Sequence, residues 1–222
     1  MAHPDWLNID NSFSSAGDKF LLKCVLSWSA RFGLIAKEQL VMKTIPNHYH
    51  LNLAKGVLPF HDNEIAYVYT SHFLEHIARA AAEKTLGEVH RVLMPGGVLR
   101  IVVPDLERVV VSYLNNPGDN SFHESFPEIE NPTWRLNAYF GRYPNGNRKS
   151  AKVKLFEALF GTSASGHEHR WMYDSGDMNI LLRSVGFENA KKVRFREGTT
   201  PNLDYLDTQD HARDSLYMEA TK

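Results

Sequence analysis

The sequence predicts an α/β fold built on parallel strands, and three stretches carry that reading. Ile65 to Tyr69 (IAYVY) is a short, β-rich apolar run, long enough to be a buried strand. Leu86, Val89 and Leu93 follow at i, i+3 and i+7, the spacing of one helix face. Pro95-Gly96-Gly97 stops that helix, because proline cannot continue it and glycine permits a sharp reversal. Val98 to Val103 is then a second continuous apolar strand, closed by Pro104-Asp105. Strand, helix, turn and strand form a βαβ unit, so the two strands are expected to run parallel.

The chain of 222 residues is long enough for one domain with a full core and an insertion. A formal net charge of −1 argues against a general grip on nucleic acid, which uses a basic surface. A single cysteine, Cys24, excludes an intrachain disulfide and suits a reducing compartment. MAHPDWLNID lacks the basic start and apolar core of a signal peptide. No apolar run approaches a membrane span, so a soluble, cytoplasmic protein is the expectation.

In chain order, Trp6 to Asp10 (WLNID) reads as a short strand ending in a carboxylate. Asp18 is placed to cap a helix running to about Gly33, with Phe20, Leu21, Leu22, Val25, Leu26, Trp28 and Phe32 as its apolar surface. His48 to Leu53 alternates weakly and reads as another strand, after the break at Pro46-Asn47. Beyond Asp105, Leu106 to Leu114 continues as a helix. From Asn115 to Ser175 the pattern breaks into proline, glycine and aromatic residues, too long a stretch for a simple loop. A lid or substrate-side insertion with one or two helices is expected there, Lys152 to Phe160 being the clearest. An added structural cap without substrate contacts is its alternative. Asp174 or Ser175 should cap the next helix, with Met178, Leu181, Leu182 and Val185 on its buried face and Gly186 after it. Lys191 to Arg196 and Leu216 to Ala220 read as closing antiparallel strands, joined by a long polar stretch from Thr199 to Arg213 that is placed to close over a site.

Two segments, LPFHDNEIAYVYTSHFLEHI and EVHRVLMPGGVLRIVVPD, resemble the class I S-adenosylmethionine-dependent methyltransferases, in particular their small type 11-like group. Members of that group write these regions as LPF-D-S, SH-LEH and RVLKPGG-LRI-VPD. The later HRWMYD and the closing SLYMEATK are similar as well. The resemblance implies a Rossmann-like methyltransferase sheet of parallel strands plus a terminal antiparallel hairpin, a transferase activity, and S-adenosylmethionine as cofactor. It makes WLNID the second strand, with Asp10 accepting from the two ribose hydroxyls, as an acceptor-only carboxylate can. Asn52 falls where the family has Asp to accept from the adenine amino group, Leu53 would pack on the adenine ring, and Ser71 would line the cofactor site.

The family also opens with a central first strand and a glycine-rich loop, and neither precedes Trp6 here. Without that strand two sheet edges would carry unpaired backbone groups, each costing about 1–3 kcal/mol when buried. Three explanations stand: a true start upstream, a degenerate copy, or WLNID taking the central place. The upstream start is favoured, because the rest of the chain is locally consistent. The expected strand order is then third, second, gap, fourth, fifth, seventh, sixth, with Trp6–Asp10 not paired along Ile65–Tyr69, and with Asp10 and His72 facing one cleft.

The window His72–His76 admits two main readings, and some methyltransferase relatives acting on polyprenyl quinone precursors use an E-x-x-E-H version of it to hold a divalent metal. Taken literally, H-x-x-E-H is a zinc-hydrolase signature, but that reading needs a helix through the motif and a distant third ligand. In the methyltransferase reading His72 lies nearest the transferred methyl group and is a candidate catalytic base, or else fills the mouth of the pocket. Glu75 and His76 are expected to be a hydrogen-bonded pair orienting the loop, and no metal is expected. His169 is a second candidate base, because its ordinary pKa lies near working pH; bonding the loop backbone is its structural alternative. The function implied is methyl transfer to an O or N nucleophile of a small molecule, lipid or glycan. The alternative is a non-catalytic methyltransferase-like subunit that accepts a strand from a partner chain at an exposed sheet edge.

Overall fold

The computed structural model describes residues 6–10, 48–51, 53, 57–115, 132–140 and 169–222. These residues fall into two compact units, the first holding those up to 53 and the second those from 57 onward.

In the first unit β1 (Asn8–Asp10) pairs in parallel with β2 (His48–His50), Asn8 opposite His48 and Asp10 opposite His50. Both strands fall within the stretches read as strands, Trp6–Asp10 and His48–Leu53, and β1 pairs with β2 rather than along Ile65–Tyr69. Asn52, and the helix expected from Asp18 to Gly33, lie outside the described residues.

The second unit is organised on a four-stranded sheet. Its strands are β3 (Ile65–Ser71), β4 (Leu93–Pro104), β5 (Glu188–Val193) and β6 (Ser215–Thr221), in the order β3-β4-β6-β5. The β3–β4 pair is parallel, and the β4–β6 and β6–β5 pairs are antiparallel. This is the fourth, fifth, seventh, sixth order expected, a mixed α/β sheet closed by an antiparallel hairpin. β4 is central, and Leu99, Ile101 and Val103 are wholly buried along it. Each such side chain contributes about 1.5–3 kcal/mol relative to exposure, which explains its near-continuous apolar sequence.

The crossover is α1 (Arg79–Val92), which buries Ala82, Leu86, Val89 and Val92. Leu93 was expected on that helix face; it is instead already extended, opening β4, and is buried all the same. Pro95-Gly96-Gly97 forms a bulge inside β4, since the register jumps from Ile65 opposite Leu93 to Tyr67 opposite Val98. Gly96 takes the left-handed φ of +77° that the bulge requires. Gly97 is there for space, because a Cβ would stand 2.8 Å from the Met94 carbonyl oxygen and 3.1 Å from that of Ala66.

α2 (Leu106–Asn115) follows β4 as expected, started by Asp105, whose Oδ1 accepts from the backbone N–H of Glu107 at 3.1 Å. Of the insertion expected over 115–175, the helix α3 (Pro132–Tyr139) is described, whereas Lys152–Phe160 lies outside the described residues. α4 (Ser175–Ser184) is capped by Asp174, whose side chain accepts from the Asp177 N–H at 2.7 Å. It buries Met178, Leu181 and Leu182, and Gly186 ends it with φ +103°.

The polar stretch between β5 and β6 carries the short helix α5 (Leu203–Leu206) and a 3-10 turn over Gln209–His211. A buried ion cluster holds it to the sheet. The Arg100 guanidinium, fully buried in β4, meets Asp207 and, at 3.3 Å, Glu219, and donates to the carbonyls of Glu197 and Arg194. Glu219 in turn accepts from the backbone N–H groups of Thr199 and Thr200. No described helix is long and apolar enough to cross a membrane.

Candidate active site

β3 delivers the chain to Ser71, and the next residue turns it sharply. The His72 N–H still donates to the Val102 carbonyl at 2.9 Å, yet His72 has φ +48°. A non-glycine residue in that region is uncommon and concentrates at functional sites. The reversal leads into a 3-10 turn over Leu74–His76, which folds the Glu75 carboxylate back under the His72 ring.

Three groups then fix that ring. Nδ1 lies 3.2 Å from Glu75 Oε1, Nε2 lies 3.0 Å from Ser215 Oγ, and one face stacks on His211 with centroids 3.7 Å apart. Ser215 opens β6 opposite Pro104, at the end of the sheet where His72 leaves β3. His211 is held by its own carbonyl, which accepts from the Tyr217 hydroxyl at 2.9 Å. A tautomer with the N–H on Nδ1 would leave Nε2 as an acceptor facing the Ser215 hydroxyl, the arrangement a general base uses. Burial, and after it the neighbouring His72, holds the His211 imidazole below its ordinary pKa, which favours the neutral ring.

Glu75 is fully buried, and neither carboxylate oxygen receives a hydrogen bond of good geometry. His76 Nε2 approaches Oε1 at 3.7 Å. The hydrogen-bonded Glu75–His76 pair expected from the sequence is therefore a longer contact, beyond hydrogen-bond distance. The backbone of Glu75 is occupied differently, its carbonyl accepting from the N–H groups of Arg170 (2.7 Å) and Trp171 (3.2 Å). That clamp brings His169 to the turn, its ring 5.2 Å from that of His76 and 5.6 Å from that of Tyr139.

The rest of HRWMYD explains why the clamp is rigid. Tyr173 is buried and bridges Asp105, and its carbonyl accepts from the Leu106 N–H at 2.9 Å. Asp174 caps α4, while the Trp171 indole N–H and the Arg79 guanidinium both donate to Asp177, at 2.8 and 2.9 Å. Asp105, the last residue of the VPD segment, is buried, and Lys192 Nζ donates to it at 3.0 Å.

The two histidines read from the sequence as candidate bases, His72 and His169, thus flank one buried carboxylate. Of the residues read as cofactor-binding, Ser71 ends β3 in the second unit, whereas Asp10 ends β1 and Leu53 lies in a turn in the first. Within its own unit, each of Asp10 and Ser71 occupies the carboxyl end of a parallel strand, the position at which open α/β sheets hold ligands. Ser215 and His211 were missed. Ser215 sits in a segment read only as a strand, and the polar 199–213 stretch gave no signal beyond its length.

A family model described as "Methyltransferase domain" matches residues 30–101. No curated protein matches the chain. Among solved structures the chain is similar to a SAM-dependent methyltransferase from Archaeoglobus fulgidus, at 11% identity over 89% of this chain and 80% of that one, with TM-score 0.44. It is similar to a possible exported protein from Bordetella parapertussis at 13% identity, over 96% of this chain and 52% of that one, with TM-score 0.43. A SAM-dependent methyltransferase from Thermotoga maritima, titled a possible histamine N-methyltransferase, is similar at 15% identity over 87% of this chain and 70% of that one, with TM-score 0.43. At such scores these likenesses add no weight, and the assignment rests on the domain match and on the motifs within and after it.

Proposed function

We propose that this chain, whose residues 30–101 match a methyltransferase domain, is a class I S-adenosylmethionine-dependent methyltransferase that moves a methyl group to an O or N nucleophile of a small molecule, lipid or glycan. The observation that supports this reading most is His72, held between Glu75 and Ser215 at the carboxyl end of β3. S-adenosylmethionine, when bound, supplies a methyl group on a sulfonium, which is open to in-line displacement. The protein's part is then to align the acceptor, exclude water and take a proton where one must leave.

His72 Nε2 is the atom that would take it. The Ser215 hydroxyl now facing Nε2 stands where an acceptor hydroxyl or amine would approach, and Glu75 would stabilise the imidazolium that results. His211, stacked on the ring, would stop the imidazole from swinging away. Asp10 would accept from the ribose hydroxyls, Asn52 from the adenine amino group, and Leu53 and Ser71 would line the remainder of the cofactor. Incubating the full chain with methyl-labelled S-adenosylmethionine and panels of phenols, amines, lipids and glycans tests the reading. Label moving to at least one acceptor class is expected, and no transfer to any of them would reject it.

A further inference from the structure

Trp171, in the HRWMYD clamp, is 44% exposed, although an indole can bury more apolar surface than most side chains. It is nevertheless held at three points. Its backbone N–H donates to the Glu75 carbonyl at 3.2 Å, and its indole N–H donates to Asp177 Oδ2 at 2.8 Å. The Arg79 guanidinium donates to the other oxygen of that carboxylate at 2.9 Å and stands 6.0 Å from the centre of the indole ring. Burial pushes the Asp177 carboxyl upward, but the bonds from Arg79 and Trp171 outweigh it and hold its pKa below the ordinary value, which favours the ionised anchor. An aromatic face that is both exposed and fixed has given up its freedom before a ligand arrives, which is the condition for a selective contact. Glu75 ties this face to the candidate base, since its Oε1 lies 3.2 Å from His72 Nδ1 while its carbonyl takes the Trp171 N–H. Arg79 opens α1 just after the same turn, and Asp177 lies in the first turn of α4.

We propose that Trp171 is the platform on which the methyl acceptor lies, and that this acceptor is a phenol. The inference rests on the methyl-transfer reading above and narrows its acceptor class. A flat ring stacks, offset, on an exposed indole. The hydroxyl follows from the base. Imidazoles titrate near neutrality, and a phenol, with a pKa of about 10, yields its proton to one far more readily than an aliphatic alcohol does. The phenol oxygen gains the methyl carbon and loses its proton to His72 Nε2, and the electron pair of the broken C–S bond stays on sulfur. Trp171 touches only the ring, so it governs which acceptor binds rather than the transfer itself.

The full chain, isotope-labelled at its tryptophans, is titrated with para-cresol, cyclohexanol and methyl glucoside, alone and again with S-adenosylhomocysteine. The indole N–H signals are followed by NMR, the Trp171 signal being assigned by its loss in Trp171→Phe, and affinities are read from the signals of the added compounds. Para-cresol should move the Trp171 signal and bind about 10-fold more tightly than cyclohexanol or methyl glucoside. Trp171→Phe keeps a ring without the indole N–H and should hold para-cresol to within about 3-fold, whereas Trp171→Ala should lose about 10-fold or more. A purely structural role, through the bond to Asp177, would make the two variants equal. Ile180→Ala, exposed on α4, should change nothing. If Trp171→Ala loses its fold, the wild-type signal and the Trp171→Phe affinity decide. An unmoved Trp171 signal, equal binding of cyclohexanol or methyl glucoside, or equal losses in the two Trp171 variants would overturn the inference. None of these readouts needs methyl transfer, so this inference and the reading it rests on fail separately.

Discussion

His72 Nδ1 stands 3.2 Å from the Oε1 of Glu75, a residue three positions along the chain that is wholly buried beneath it. The contact exists because His72 itself adopts a left-handed backbone; with ordinary strand geometry the 3-10 turn would carry Glu75 elsewhere. Replacing His72 by Gln should keep affinity for S-adenosylmethionine and lower kcat by about 10²–10⁴-fold, the range for loss of a positioned general base. Steady-state kinetics with the acceptor, beside cofactor titration of the same variant, checks both halves.

The sheet was legible because its signals are local. IAYVY and VLRIVV are apolar runs of strand length, and Pro95-Gly96-Gly97 marks the break between helix and strand even though it folds as a bulge within β4. The cap Asp174 was readable by type and spacing, whereas Asp105, read only as closing the strand, also starts the next helix. The site was less legible because tertiary contacts build it. Glu75 and Arg170 lie far apart in the sequence, and nothing in either segment announces that one carbonyl takes two N–H groups from the other. Arg100 lies in the middle of an apolar strand, and only the folded chain shows Asp207 and Glu219 meeting it.

That buried cluster makes a stability prediction. Arg100→Leu would leave Asp207 and Glu219 without their shared cation, at a cost of about 3–5 kcal/mol. Chemical denaturation should show the loss, and Arg100→Leu combined with Asp207→Leu should recover part of it.

Acid should destabilise the chain in two stages. Burial keeps the His211 pKa below its ordinary value of 6.5, so the unfolded chain binds that proton more tightly than the folded one. Its contribution is complete above 6.5 and is lost as pH falls through the lowered folded value. Burial pushes the Glu219 carboxyl upward, but hydrogen bonds from Thr199 and Thr200 outweigh it and hold the pKa below 4.5; its contribution is present above 4.5 and fades below. Urea unfolding across pH should show both declines, and His211→Gln should remove the first alone.

Gly97 tests the bulge. Ala at this position must displace the Met94 and Ala66 carbonyls from 2.8 and 3.1 Å, and overpacking of this kind costs about 1–3 kcal/mol. A lowered melting temperature for Gly97→Ala is expected. Gly87→Ala, where nothing lies within 4 Å of the added carbon, should be neutral or stabilising.

Calorimetric titration of the full chain with S-adenosylmethionine bears most directly on the central claim. Binding of one molecule per chain is expected, weakened by about 10–100-fold in Asp10→Ala, because a carboxylate accepting from the ribose contributes about 1.5–3 kcal/mol. An absence of any binding heat at about millimolar cofactor, a ceiling corresponding to roughly −4 kcal/mol, would contradict the account.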